Sequence, residues 1–205
     1  MGVSVEGKFA RYYDLFFDGI LKSIRQKQLE IIKKYQCKNI IDLGCGTGAQ
    51  ARLLSSHGYK VTGVDASPQM LQVAHQKNKY QTRYILGDIT TELLPNEQFD
   101  CALISLVLHP NDMSIIQRIL TQAKRLTQNQ GIIIITDYDT GSHFKGMIAN
   151  NVIRIIESCA NPTHRKNYFE FMQQGGLEKI IAKKKHTLLE TYLFYQGAIK
   201  ICVVQ

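Results

Sequence analysis

The 205-residue chain has no tryptophan, only four prolines and no Cys-x-x-Cys pair. No repeat, low-complexity tract or Pro/Ser-rich linker divides it. At usual domain sizes of roughly 150 residues, about one domain is expected over residues 1–205. The five cysteines (Cys37, Cys45, Cys101, Cys159 and Cys202) are odd in number and widely spread, which argues against a disulfide framework and against a zinc site. No apolar run approaches the roughly 18 residues that a membrane-spanning helix needs, so no membrane is expected. Met1-Gly2-Val3-Ser4-Val5-Glu6 lacks the basic-then-apolar order of a secretory leader, and Glu6 stands where the myristoylation pattern needs Ser or Thr. Asn161-Pro162-Thr163 is spoiled as a glycosylation acceptor by its proline. A cytoplasmic setting is expected.

Lysine and arginine (25) outnumber aspartate and glutamate (17), for a net charge of +8. Such a balance is open to an anionic partner such as nucleic acid. The charge is scattered, however, apart from Lys183-Lys184-Lys185-His186 and short pairs such as Lys33-Lys34. Solvated faces account for it.

Residues 12–36 carry Leu15, Phe16, Ile20, Leu21, Ile24, Leu29, Ile31 and Ile32 among Lys, Arg and Gln, a helical period with one apolar face. Residues 1–36 are expected to form an N-terminal helical cap. Short apolar runs then alternate with amphipathic stretches: strands at Asn39–Leu43, Lys60–Val64, Arg83–Leu86, Phe99–Leu108 and Gly131–Thr136, helices near 48–57, 68–79 and 112–128. Ser67-Pro68 has the form of an N-cap followed by a first-turn proline. Ile132-Ile133-Ile134-Ile135 does not alternate, as expected of a parallel strand buried on both faces. Strands alternating with helices predict βαβ units and a doubly wound α/β sheet. Beyond residue 137 the spacing predicts a helix over Met147–Glu157 and another near 165–174, stopped by Gly175-Gly176. Two strands, about 177–187 and 189–204, are expected to pair antiparallel at the sheet edge.

Asp42-Leu43-Gly44-Cys45-Gly46-Thr47-Gly48-Ala49 follows a strand and opens a helix. Glycines there permit a tight turn and bring a ligand close to backbone N–H groups. Asp65 ends the next strand, at the place where an acid meets ribose hydroxyls in nucleotide-binding folds. Gly44, Gly46 and Ala49 formally satisfy the dinucleotide fingerprint, which makes an NAD-dependent oxidoreductase one reading. Asp42 opposes it, because a carboxylate beside the cradle repels a pyrophosphate. A guest with an ammonium and a sulfonium group and no phosphate fits better.

Ile40-Ile41-Asp42-Leu43-Gly44-Cys45-Gly46-Thr47-Gly48 resembles the first motif of class I S-adenosylmethionine-dependent methyltransferases. Val64-Asp65-Ala66-Ser67-Pro68-Gln69-Met70-Leu71 resembles the second and Leu86-Gly87-Asp88-Ile89 the third. Phe99-Asp100-Cys101-Ala102-Leu103-Ile104-Ser105, with Leu108-His109, is similar to the fourth. The likeness covers about residues 8–204 and comes nearest to the small-molecule-type methyltransferases. It implies a Rossmann-like, seven-stranded mixed sheet, mostly parallel with a C-terminal antiparallel strand pair. It also implies S-adenosyl-L-methionine as cofactor, S-adenosyl-L-homocysteine as product and a small-molecule acceptor. By that resemblance Tyr13 covers the cofactor. Asp42, Gly44, Cys45, Gly46 and Gly48 hold its methionine end, Asp65 the ribose, and Ala66 and Met70 the adenine faces. Asp88 and the Ile89 N–H take the adenine edge, and Ser105 lies beside the methionine portion. Asp65 as a helix cap and Asp88 as a turn former are the structural alternatives.

Methyl transfer from a sulfonium expels a neutral thioether, so alignment of the acceptor is the main requirement. A base is needed only where the acceptor must lose a proton. His109 is the candidate base, with a structural histidine before Pro110 as its alternative, and His143 is a second candidate. Residues 138–166 are a candidate lid over the acceptor. Asp137 and Asp139 suggest a metal, but Ser105 and Leu106 stand where catechol-type methyltransferases place a further acid, so no metal is expected. The Asn/Asp-Pro-Pro-Tyr pattern is absent at Ser105–Leu108, and paired catalytic cysteines have no counterpart. An RNA or protein methyltransferase is therefore not favoured over a small acceptor. A non-catalytic cofactor-binding protein is the remaining alternative.

Overall fold

The computed structural model describes residues 5–140, 151, 153–154, 157, 161–183 and 187–205. Within it the chain forms α1 (Val5–Lys34), β1 (Asn39–Leu43), α2 (Ala49–Ser56), β2 (Lys60–Asp65), α3 (Pro68–Gln76) and β3 (Arg83–Leu86). Then follow β4 (Phe99–Ser105), α4 (Met113–Leu126), β5 (Thr127–Tyr138), α5 (Pro162–Gln173), α6 (Gly176–Ala182), β6 (Leu188–Phe194) and β7 (Ile199–Val204). The seven strands lie in the order β3-β2-β1-β4-β5-β7-β6. This is the mostly parallel α/β sheet with an antiparallel end that the sequence predicts. Side chains of residues 5–18 and Ile20, and most of the expected Met147–Glu157 helix, lie outside the described residues, as do His143 and Lys184–His186. Among the described residues no helix is long and apolar enough to cross a membrane.

The chain divides into two compact units, residues 1–103 with 122–131, and residues 104–121 with 132–205. In the first unit, β1 pairs parallel with β2, and β2 with β3, with Leu43 opposite Val64 and Asp65 opposite Leu86. Ile40, Ile41, Val61 and Val64 are buried in these strands, and Ile24, Ile31 and Ile32 of α1 are buried as well. Asp100 caps the start of β1, accepting hydrogen bonds from the backbone N–H groups of Lys38 (2.7 Å) and Asn39 (3.0 Å). α3 begins as its sequence requires: Pro68 occupies the first turn, and the Ser67 hydroxyl accepts from Met70 N, satisfying one of the helix's orphan donors.

In the second unit β7 pairs antiparallel with both β5 and β6. Two expectations need correction here. Residues 177–182, expected within a strand, lie in α6, because Leu177, Ile180 and Ile181 fall at helical spacing and are all buried. The expected single strand over 189–204 is two strands. Tyr195 (φ 50°), Gln196 (φ 57°) and Gly197 (φ 89°) adopt the left-handed backbone that turns β6 back as β7. β4 also stops sooner than expected, at Ser105. Leu106 leaves the extended region (φ 57°) and donates its N–H to Thr136 O at 2.8 Å.

Gly131 lies inside β5 for a steric reason. A Cβ there would stand 2.7 Å from Asp100 O and 2.6 Å from Thr127 Cγ2, closer than packed atoms tolerate. Gly131→Ala is expected to cost about 1–3 kcal/mol through overpacking. Urea unfolding of the variant beside the wild type measures it.

Candidate functional site

In the first unit three acids lie at or just beyond the carboxyl ends of neighbouring parallel strands: Asp42 on β1, Asp65 on β2 and Asp88 after β3. The loop between β1 and α2 is pinned by Gly44 N and Cys45 N, which donate to Val64 O at 2.8 and 3.0 Å. Gly44, Gly46 and Gly48 have φ of 76°, 53° and 72°, a backbone that side chains rarely adopt. A Cβ on Gly46 would meet nothing within 4 Å, so the tip of the loop faces open space. Gly48 is different: a Cβ there would lie 2.3 Å from the Tyr84 hydroxyl. Tyr84 thus packs on the loop from β3, a support that no motif in the sequence signals.

Asp65 gathers both ends of the cradle. Its Oδ2 accepts from Gly46 N at 2.7 Å and its Oδ1 from Ser67 N at 2.9 Å. A carboxylate has lone pairs to spare beyond these two donors, so the capping and ligand roles are compatible. Ala66 is exposed and Met70 half-buried beside it. Asp88 is exposed and forms a turn: Oδ1 accepts from Thr90 N at 2.8 Å, and the Thr91 hydroxyl donates to Asp88 O. Its structural alternative is therefore realised, with Ile89 half-buried next to it.

Asp42 carries the strongest electrostatic signal. It is 2 % exposed, and its Oδ2 has no hydrogen-bond partner among the described residues. Burial, and then the charge of Asp65, push its carboxyl up to about 7 from 3.8, while the Arg25 charge works against them. Arg25 on α1 is a contributor that the motifs do not reveal. The Cys45 thiol is pushed far up by burial and by Asp42 and Asp65, so it is no nucleophile at neutral pH. Tyr13 lies on α1, and its side chain is outside the described residues.

Ser105 ends β4 in the second unit and is half-buried. Four donors converge on the buried carboxyl group of Asp137, at the end of β5. Leu108 N (2.9 Å) and His109 N (3.3 Å) reach Oδ2; Tyr138 N (2.8 Å) and His109 Nδ1 (2.7 Å) reach Oδ1. His109 is itself buried, with Nε2 facing Glu157 Oε1 at 3.8 Å. Glu157 accepts from the Tyr138 hydroxyl at 2.9 Å and meets His164 Nε2 at 2.7 Å. Burial raises the Glu157 carboxyl, but the His164 hydrogen bond, the His109 charge and the Tyr138 hydroxyl together hold it below its usual value. Sequence reasoning missed Glu157 and His164. Their one sequence signal is an acid after Ile155-Ile156 and a histidine one residue past Asn161-Pro162-Thr163. Asp139 is engaged elsewhere: Lys200 Nζ lies 3.1 Å from its Oδ1, and Glu178 N donates to its Oδ2.

An α/β sheet of this order, with a glycine loop after β1 and acids at the ends of three successive strands, is an arrangement that suits a nucleoside ligand at the strand ends. A family model described as a methyltransferase domain matches residues 41–135. Malonyl-[acyl-carrier protein] O-methyltransferase of Serratia marcescens is 31% identical over 121 residues, 59% of this chain and 46% of that protein. Demethylmenaquinone methyltransferase of Tropheryma whipplei is 32% identical over 111 residues, 52% of this chain and 44% of that protein. The match thus spans under half the length of these two curated relatives. A crystal structure of a Pyrococcus horikoshii protein superposes with a TM-score of 0.71 at 16% identity, covering 92% of this chain and 90% of that one. A SAM-dependent methyltransferase from Archaeoglobus fulgidus gives 0.60 at 16% identity, covering 94% and 99%. The chain is thus similar to methyltransferases over residues 41–135, a little under half of its length.

Asp42 makes the ligand-free protein sensitive to pH. Its folded value lies above its unfolded one, so the folded state holds the extra proton between about pH 4 and 7. Its contribution to stability is present below that window and lost as pH rises through it. Urea unfolding of the wild type is expected to weaken across this range by on the order of a few kcal/mol. Asp42→Asn is expected to flatten that part of the profile.

Proposed function

We propose that this protein is an S-adenosyl-L-methionine-dependent methyltransferase acting on a small-molecule acceptor. The observation that carries the reading is Asp42 Oδ2, a buried carboxylate oxygen without a partner among the described residues, beside a glycine loop whose tip is open. A buried acceptor of this kind requires a positive charge or a proton. A ligand with an ammonium group supplies the first; a pyrophosphate would add repulsion. Asp42 and the Gly44–Gly48 loop would hold the methionine end of the cofactor, and Asp65 the ribose hydroxyls. Ala66, Met70, Asp88 and Ile89 would surround the adenine. When bound, the cofactor supplies a sulfonium-activated methyl group and leaves as neutral S-adenosyl-L-homocysteine. The chain's task is then to align the acceptor and exclude water, which needs no acid.

The small size of the acceptor is supported by the curated relative named for demethylmenaquinone. The reading keeps the cytoplasmic setting expected from the sequence; the four described cysteines, all free and buried, suit a reducing compartment.

Calorimetric titration with S-adenosyl-L-homocysteine and with NADH tests the reading. Binding of the first and none of the second is expected, with Asp65→Ala weakening it by about 1–3 kcal/mol. NADH binding alone would refute it. Label transferred from methyl-labelled cofactor into a cell extract should appear in a fraction that resists nuclease and protease. Label in polymer would turn the assignment to an RNA or protein acceptor.

A further inference from the structure

We propose that His109, Glu157 and His164 form a site for a single divalent transition-metal ion of the zinc type, with Asp137 as the positioning residue. One ligand atom from each of the three side chains can be chosen so that all lie within 4.8 Å of one another. The sequence weighs only Asp137 and Asp139 for a metal, so this set arises from the tertiary structure alone.

The geometry around His109 calls for a cation. Its Nδ1 lies 2.7 Å from Asp137 Oδ1. A carboxylate only accepts, so Nδ1 carries a proton and Nε2 is the ring nitrogen left to meet a further partner. That Nε2 faces Glu157 Oε1 at 3.8 Å. The two atoms stand beyond hydrogen-bond reach of each other, on side chains that are 6% and 8% exposed. A buried pair of this kind is stabilised by a positive charge, either a proton on Nε2 or a metal ion between the two atoms. The second histidine approaches the same carboxylate from the other oxygen, with His164 Nε2 at 2.7 Å from Oε2.

Two neutral imidazoles and a carboxylate match the donor preferences of zinc, and three protein ligands leave a coordination position for water or another oxygen. At metal–ligand bonds of about 2.0–2.1 Å, neighbouring ligand atoms stand roughly 3.3 Å apart. His109 faces Oε1 of Glu157 and His164 faces Oε2, so reaching that arrangement takes a contraction of the set from within 4.8 Å around one carboxylate oxygen. The surrounding contacts are those that metal-binding histidines and carboxylates need. Asp137 holds the tautomer and ring plane of His109, and the Tyr138 hydroxyl steadies Glu157. The His164 side chain is 29% exposed, which gives an ion access from solvent.

The proposal is independent of the methyl donor and is tested without it. Chelator-treated full-length protein is titrated with zinc by calorimetry, and with cobalt(II) by visible absorption. One equivalent of each is expected, with tetrahedral cobalt bands and no thiolate-to-cobalt charge transfer. His164→Ala and Glu157→Gln should abolish stoichiometric binding. Asp137→Asn should weaken it by about 10–100-fold while leaving the stoichiometry at one. Circular dichroism checks that each variant folds. Wild-type protein that takes up less than a tenth of an equivalent would overturn the proposal whatever the variants do. So would a charge-transfer band placing the ion on cysteine, or nitrogen NMR showing His109 Nε2 still protonated in excess zinc. The last result would mean that a proton is the bridging cation.

Discussion

Asp42 stands at the end of a buried strand with one carboxylate oxygen unsatisfied among the described residues, and a group so placed must carry a proton or face a positive charge. The chain itself leans toward the proton, because Asp65 adds a second negative charge nearby and Arg25 offsets it only in part. The surrounding cradle is arranged around the same charge. Asp65 uses one oxygen for the loop and the other for the start of α3, so the two acids are held by the same turn of backbone. The glycines then serve two different needs: Gly46 opens space, and Gly48 makes room for Tyr84.

The second unit shows the same chemistry solved differently. Asp137 is as buried as Asp42, yet four donors meet it. Its saturation orients His109, whose Nε2 faces Glu157. In the first unit a carboxylate oxygen lacks a partner among the described residues; in the second an imidazole nitrogen faces a carboxylate. Both arrangements favour a positively charged occupant, but the donor sets differ. Oxygen acceptors around a glycine loop suit an organic cation, whereas two imidazoles and one carboxylate suit a metal ion.

Much of the first unit was legible in the residues themselves. The isoleucine runs, the Ser67-Pro68 helix start and the glycine loop are local signals, each read within a few positions. The second unit was harder because its chain after residue 137 mixes short elements of either type. Leu177, Ile180 and Ile181 fit a helix or a buried strand at that length, and packing decided for the helix. The turn at Tyr195–Gly197 places two non-glycine residues in the left-handed region, which residue preferences disfavour. Nothing local announces it.

The sequence by itself determined the α/β order, the parallel strands and the acid-and-glycine cradle. Each depends on periodicity or on residues adjacent in the chain. Only the tertiary structure decided that Asp42 lacks a partner among the described residues, that Asp65 bridges two backbone segments, and that His109 meets Glu157 and His164. Those facts depend on which distant groups desolvate one another, and burial and facing side chains are properties of three-dimensional proximity that no linear spacing encodes.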